Sequence, residues 1–284
     1  MRADPAGVVK TPDGLDASPL GRATTYAEQY DPGLLFAVDR APQRALLGFE
    51  NDPPFRGADV WTAYEVSWLD ARGKPQIGIA TFEVPAQSPR LVESKSVKLY
   101  ATSLNQTRFA SASEVSAAIA RDLSQATGAT VGVTLTLPRD FAMLRHGELA
   151  GECLDELPLA VEHCELSPES LAAVGPSVAE SLYSRLFRSV CPVTGQPDYA
   201  SVQLAYRGAR IDRGGLLGYL VSFRRHPGFH EHCVERIFTD VWRRCRPEAL
   251  SVHARFTRRG GIDINPYRTS GDEPPPPNTR TARQ

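Results

Sequence analysis

The strongest constraint on how this chain can fold is an internal repeat. A shift of 119 residues lays Val97, Tyr100, Ala101, Ser103 and Leu104 on Leu216, Tyr219, Leu220, Ser222 and Phe223, and lays Val131 and Val133 on Leu250 and Val252. The same shift puts Glu93 on Asp212. Identity between the copies is low, but their apolar faces coincide. Self-similarity at a fixed offset means that one supersecondary unit is used twice.

The unit can be read in its first copy. Val60, Thr62, Tyr64, Val66 and Trp68 alternate with Trp61, Ala63, Glu65 and Ser67, the period of a strand. Residues 70–75, with Gly73 and Pro75, make a turn, and residues 76–84 return as a second strand. Val97, Tyr100, Ala101 and Leu104 then form one stripe of a helix that opens at Glu93. Ser111 and Glu114 have the spacing of a capping box, and the helix after them carries Val115, Ala118, Ile119 and Leu123 on one side. Residues 130–137 alternate again, and residues 141–144 offer a fourth strand. The second copy reads as a strand over 198–206, helices over 214–223 and 229–246, and a strand over 250–256. The expectation is an α+β protein of two β-β-α-α-β modules, with antiparallel sheets and helix pairs on one face.

The modules are expected over residues 21–145 and 186–268. Residues 21–58 are irregular packing in this reading, residues 146–185 a connector, residues 1–20 a mobile lead-in, and residues 269–284, with Pro274–Pro277, a disordered tail. Composition then removes several function classes. Net charge is −1 and the lysines and arginines are dispersed, which argues against direct binding to nucleic acid. No apolar run has the length of a membrane helix, and the N-terminus lacks the apolar core of a signal peptide. Five cysteines without paired spacing fit a reducing compartment, so a cytoplasmic protein is expected.

Three segments could carry chemistry. Cys191 lies in a turn-rich stretch through Pro192, Gly195 and Pro197 to Asp198, where a thiol is held in a loop with an acid seven residues on. Cys153, Cys164 and Cys245 read as buried, inert thiols. Phe229-His230-Glu231-His232-Cys233 opens a long helix, with His230 and Glu231 adjacent and pointing in different directions. A zinc site from His230, His232, Cys233 and Cys191 lacks a recognised ligand spacing. Arg258-Arg259-Gly260-Gly261 joins two guanidinium groups to backbone that a phosphate can approach closely. No glycine-rich dinucleotide fingerprint or P-loop occurs. At the start of the first helix, Glu93 could accept hydrogen bonds from the N–H groups of a ligand, or could simply cap the helix. Taken alone, these residues point to chemistry at an electrophilic carbon without naming the substrate.

The octet Glu93-Ser94-Lys95-Ser96-Val97-Lys98-Leu99-Tyr100 resembles the signature of the NADPH-dependent 7-cyano-7-deazaguanine reductases, the nitrile reductases of queuosine biosynthesis. Residues 57–75, 191–198, 229–231 and 258–266 resemble the same family, in order, and the likeness covers about residues 20–268. It is nearest to the bimodular form, with the octet in the first module and the cysteine in the second. This resemblance implies a tandem tunnelling fold, whose sheets close into a barrel with sites between modules, and a homodimer. It implies that Cys191 attacks the nitrile of the free base to give a covalent thioimide, with Asp198 as general acid and His230 assisting proton transfer. It implies further that Val92, Glu93, Ser94, His230 and Glu231 bind the deazaguanine, that Ser94, Lys95, Arg259 and Gly260 hold NADPH, and that no metal takes part. The alternative is a zinc-dependent cyclohydrolase-type enzyme of the same fold, acting on a purine or pterin.

Overall fold

The computed structural model describes residue 27 and residues 29–49, 52–160 and 165–284. The lead-in expected over residues 1–20, and Cys164, lie outside the described residues. The first module starts with strand β1 (Ala37–Asp39) and a short helix α1 (Ala41–Ala45), so residues 21–58 are not wholly irregular. The expected hairpin is β2 (Arg56–Leu69) and β3 (Pro75–Pro85). Asp70 turns it by accepting from the Arg72 and Lys74 amides at 2.9 and 3.0 Å. Strand β4 (Arg90–Val92) pairs with β1 and feeds α2 (Ser94–Ser103), after which α3 (Ala112–Thr127) and β5 (Gly132–Thr136) complete the copy. Helix α3 starts where the capping box predicts, with the Glu114 amide donating to Ser111 Oγ at 3.2 Å, and it stops at Gly128 in the left-handed region (φ 75°).

The second module contains β6 (Glu152–Cys153), β7 (Ala173–Val190), β8 (Pro197–Ile211), α4 (Arg213–Ser222), α5 (His230–Cys245), β9 (Ala249–Phe256) and β10 (Ile262–Thr269). The repeat holds in three dimensions. Adding 119 to the ends of α2 (94 and 103) gives the ends of α4 (213 and 222), and adding 118 to those of α3 (112 and 127) gives those of α5 (230 and 245). Within each pair a tyrosine of the first helix donates to an aspartate of the second: Tyr100 to Asp122 at 2.7 Å and Tyr219 to Asp240 at 2.8 Å. In each copy this bond ties the two helices of the pair to each other.

Both hairpins belong to one eight-stranded sheet of order β5-β3-β2-β10-β9-β8-β7-β6, antiparallel except for the β6–β7 pair. The strand that joins the modules is β10. It pairs with β2 from Ile262 opposite Ala63 to Thr269 opposite Arg56, and with β9 from Tyr267 opposite His253 to Thr269 opposite Ser251. Sequence periodicity did not reveal this strand; residues 258–266 read as a basic turn. Helices cover one face of the sheet over two cores. Trp61, Phe82, Val97, Tyr100 and Leu123 pack in one, joined by Ile262 and Ile264 of β10. Leu204, Leu220, Phe223, Phe238 and Val252 pack in the other. Removing such side chains from water is the main force holding each layer pair together, at about 1.5–3 kcal/mol per large residue.

A charged cluster sits at the seam between the cores. Arg40 reaches Asp59 at 2.5 Å, Arg44 reaches Glu235 at 2.7 Å, and Arg268 reaches Asp59 at 2.8 Å and Glu235 at 2.9 Å, every side chain 3% exposed or less. Burial pushes the carboxyl of Glu235 up, but Arg268, Arg44 and Arg40 outweigh it and hold the group down at about 2.

Four expectations are corrected. Residues 141–144 are not a strand; they lie in or follow a 3₁₀ helix over Pro138–Met143, initiated by proline at its first position. The connector over 146–185 contains β6 and most of β7, whose first residues face solvent too often to show a strand pattern. Cys153 is half-buried rather than buried, and its sulfur accepts from Arg185 Nη1 at 3.1 Å. The proline-rich segment is not loose: Asn278 accepts from Arg255 at 2.6 Å, and Thr281 and Gln284 are buried against the sheet.

Candidate active site

Helix starts and one loop bring the site together. Glu93 is the N-cap of α2: its Oε1 accepts from the Lys95 amide at 2.7 Å and its Oε2 from the Ser96 amide at 2.8 Å. Val92 and Ser94, on either side of it, are thereby fixed at the mouth of the helix. The helix start at His230 places His230 and Glu231 in the first turn of α5. The loop between β7 and β8 is closed by the Cys191 amide donating to Gln196 O at 2.8 Å and the Gly195 amide donating to Cys191 O at 3.0 Å. This turn carries the chain from Cys191 to Asp198, and both residues line one cavity.

One cavity collects these groups. It is lined by Val92, Ser94 and Lys98 from the first module, and by Cys191, Asp198, His230, Glu231 and Arg259 from the second. Leu91, Pro192, Phe229, Ile262 and Ile264 supply its apolar walls. His230 and Glu231 both line the cavity although they are adjacent, and they face different groups: His230 meets Asp198 and Phe256, while Glu231 feels the charges of Asp59 and Arg40. Asp198 is the electrostatic centre. It accepts from Arg259 Nη1 at 2.5 Å and lies 3.5 Å from His230 Nε2. Burial raises its pKa, but His230 and Arg259 outweigh burial and hold the carboxyl below its usual range, so it rests ionised at neutral pH. The His230 ring stacks on Phe256 with centroids 3.8 Å apart.

Glu231 is the opposite case. It is 2% exposed, and burial followed by the charge of Asp59 pushes its carboxyl up to about 7, against the weaker pull of His230 and Arg40. Two of the other thiols are poor nucleophiles: burial pushes Cys233 up to about 12 and Cys245 up to about 11. Cys191, by contrast, opens on the cavity at 7% exposure.

Some expected residues stand elsewhere. The Glu93 carboxylate does not line the cavity; it is 1% exposed and engaged by the amides it caps, because the orphan N–H groups of a helix start compete for any carboxylate at that position. Lys95 does not line it either. Arg259 is bonded to Asp198 and to Gln196, and Arg258, though exposed, lies over the ring of Tyr64, so both guanidinium groups of the basic turn already have partners within the protein.

Gly260 lines an adjoining groove with Gly261, Ser67, Glu65, Thr102, Asn105 and Lys98. A Cβ on Gly260, whose φ is +59°, would stand 3.1 Å from the Lys98 side chain. Lys98 borders both spaces, and it is the residue that sequence reasoning passed over. Burial, and then the charge of Arg259, lower its pKa against the pull of Glu93, Asp198 and Cys191. The available signal was its spacing, four residues after Ser94 and so on the same helix face. Among the described residues, no group of three or more His, Cys, Asp and Glu side chains could hold a metal ion.

A family model described as nitrile reductase, 7-cyano-7-deazaguanine-reductase N-term, matches residues 26–135, and one described as QueF-like protein matches residues 197–275. A protein of Chromobacterium violaceum named NADPH-dependent 7-cyano-7-deazaguanine reductase is 56% identical over 269 residues, covering 94% of this chain and 96% of that one. A protein of the same name from Burkholderia cenocepacia is 55% identical over 271 residues, covering 94% and 98%. A solved structure of an archaeosine synthase QueF-Like in the apo form aligns with a TM-score of 0.31 at 22% identity, over 36% of this chain and all of that one, a likeness too slight to argue from.

Proposed function

Because this chain belongs to the family of NADPH-dependent 7-cyano-7-deazaguanine reductases, we propose that it reduces the nitrile of 7-cyano-7-deazaguanine to the primary amine at the expense of two NADPH. The observation that carries this reading is the single cavity in which Cys191, Asp198, His230 and Glu231 meet the start of α2. The zinc-dependent alternative finds no support in these relatives.

Sulfur is the nucleophile suited to the reaction, because a soft thiolate adds to a nitrile carbon and leaves it again. Asp198 rests as a carboxylate, so it acts first as base. It takes the Cys191 thiol proton as the S–C bond forms and returns it to the nitrile nitrogen, which leaves a neutral thioimide and a carboxylate ready for the next cycle. Arg259 and His230 hold that carboxylate in place, and His230 supplies a further proton when the C–N bond is reduced. Expulsion of the Cys191 sulfur after the first reduction yields an imine, whose reduction gives the amine.

Glu231 accepts from the donor edge of the base, between the walls made by Val92, Phe229 and Ile264. Ser94 adds a hydroxyl at the rim. In this reading Glu93 contributes by fixing the helix start through its two backbone bonds. The groove beside the cavity suits a phosphate-bearing dinucleotide, because the glycine turn leaves its floor open and Lys98 stands at its junction with the thiol pocket. In this reading Gly260 and Lys98 would hold NADPH there, Ser94 and Arg259 would meet it from the thiol pocket that Lys98 also lines, and Lys95 would join them from the same helix start. Bound NADPH supplies hydride, once per reduction step. The free base is the substrate in this reading, and two chains associate through the sheet ends at β5 and β6; native mass measurement checks the association.

The test is NADPH oxidation with 7-cyano-7-deazaguanine. Two equivalents should be consumed per amine formed. Without NADPH the protein should gain the mass of the base, and Cys191→Ala should lose both the turnover and the mass gain. Full turnover in Cys191→Ala would refute the covalent route.

A further inference from the structure

On the sheet face away from the helices, behind the active cavity, the Gln284 side chain is enclosed at 4% exposure, and both its amide atoms are bonded. Its Oε1 accepts from Arg255 Nε at 2.8 Å and from the Thr281 amide at 3.1 Å. Its Nε2 donates to Asn265 Oδ1 at 2.8 Å, to Phe256 O at 3.0 Å and to Asp263 Oδ2 at 3.4 Å. Asn265 Oδ1 in turn accepts from the Phe256 amide at 3.2 Å. The Gln284–Asn265 pair therefore grips Phe256 by both its N–H and its C=O. Phe256 is the last residue of β9, beyond which the chain runs through Arg259 into β10.

Phe256 carries the imidazole of the site. Its ring lies parallel to His230, 3.8 Å between centroids and 10° between planes. A functional histidine is ordinarily oriented by a hydrogen bond to its second nitrogen. Here His230 Nδ1 is buried without a partner among the described residues, while Nε2 faces Asp198 at 3.5 Å. The stack on Phe256 is then what sets the plane of the ring and the distance from Nε2 to the carboxylate.

We infer that Gln284 is a positioning residue of the active site, acting through the Phe256 backbone to hold the His230 ring against Asp198. The inference rests on the roles proposed above for His230 and Asp198. It explains why a residue far from the catalytic segments in sequence is packed to saturation of its hydrogen bonds beneath them. A small displacement of a proton-transferring group lowers a rate steeply, up to about a hundredfold per ångström.

The experiment uses the full chain with Gln284→Met, which keeps the volume and removes every amide bond, and Phe256→Leu, which removes the stack. Gln284→Met should lower kcat about tenfold and shift the acid limb of the pH–rate profile, with KM for NADPH changed by less than about twofold. The double variant should be no slower than Phe256→Leu alone, because both act through one contact. The His230 ring resonances should move in Gln284→Met without substrate, an outcome that does not depend on the reaction assigned. Unchanged kcat with unmoved His230 resonances would overturn the inference. So would additive losses in the double variant, or loss of cooperative melting in Gln284→Met, which would mark the residue as structural. If the parent protein failed to reduce the nitrile, the functional reading would fall and the resonances would still decide the coupling.

Discussion

Glu231 offers the sharpest test, because the same burial that makes it useful also makes it costly. Its carboxyl is raised from an ordinary 4.5 to about 7. The difference of about 2.5 pH units corresponds to roughly 3 kcal/mol at 1.36 kcal/mol per unit. Below pH 4.5 the group is protonated in folded and unfolded chains alike, and the cost is absent. Between 4.5 and 7 the unfolded chain ionises first, so stability falls as pH rises, and above 7 the loss is complete. Glu231→Gln should therefore raise the melting temperature at pH 8 by several degrees while leaving it unchanged at pH 4.

Binding should show the opposite effect. If the ionised carboxylate receives the donor edge of the base, the competent fraction is about half at pH 7, about one-tenth at pH 6 and about one-hundredth at pH 5. Calorimetry on Cys191→Ala, which cannot form the thioimide, should show affinity falling about fiftyfold from pH 7 to pH 5. Adding Glu231→Gln should weaken binding at pH 8 and flatten the profile. Asp198, held below its usual range, stays ionised through this window and does not produce the same trend. A flat affinity between pH 5 and 8 in Cys191→Ala would refute the assignment of Glu231, and an unaltered melting temperature in Glu231→Gln at pH 8 would refute the raised pKa.

Two further outcomes follow from the geometry. Glu235→Gln changes the seam cluster from three arginines against two carboxylates, net +1, to three against one, net +2. Leaving buried guanidinium groups uncompensated should cost about 3–5 kcal/mol in urea unfolding at pH 7, and a loss below about 1 kcal/mol would contradict the cluster. The gap between parent and variant should close as acid protonates Glu235, between about pH 4.5 and pH 2, since a depressed carboxyl gives up its stabilisation over that interval. Gly260→Ala meets both a positive φ and the Lys98 side chain at 3.1 Å, so KM for NADPH should rise several-fold with a stability loss of about 1 kcal/mol. An unchanged KM would remove the groove as the cofactor site.

What the sequence determined by itself is the part of the molecule governed by local rules. Periodicity in residues 60–68 and 97–104, the capping pair Ser111 and Glu114, and the repeat offset all depend on neighbours within a turn or a hairpin, and the helices begin and end close to where those patterns place them. Cys191, Asp198, His230 and Glu231, which line the cavity, could be singled out in the sequence as well, because chemistry restricts which side chains suit a nucleophile loop or a helix start. Tertiary structure decided which of them meet and in what charge state. β10 joins the two modules by pairing residues about two hundred positions apart, and no local pattern encodes that register. The Glu93 carboxylate turned to its own helix amides, while Glu231 was brought to a dry wall beside Asp59 and had its pKa raised. Arg259 became the partner of Asp198, Lys98 came to stand between two spaces, and Gln284 packed beneath Phe256. Burial and electrostatic fields are sums over everything nearby in space, so they exist only once the chain has folded.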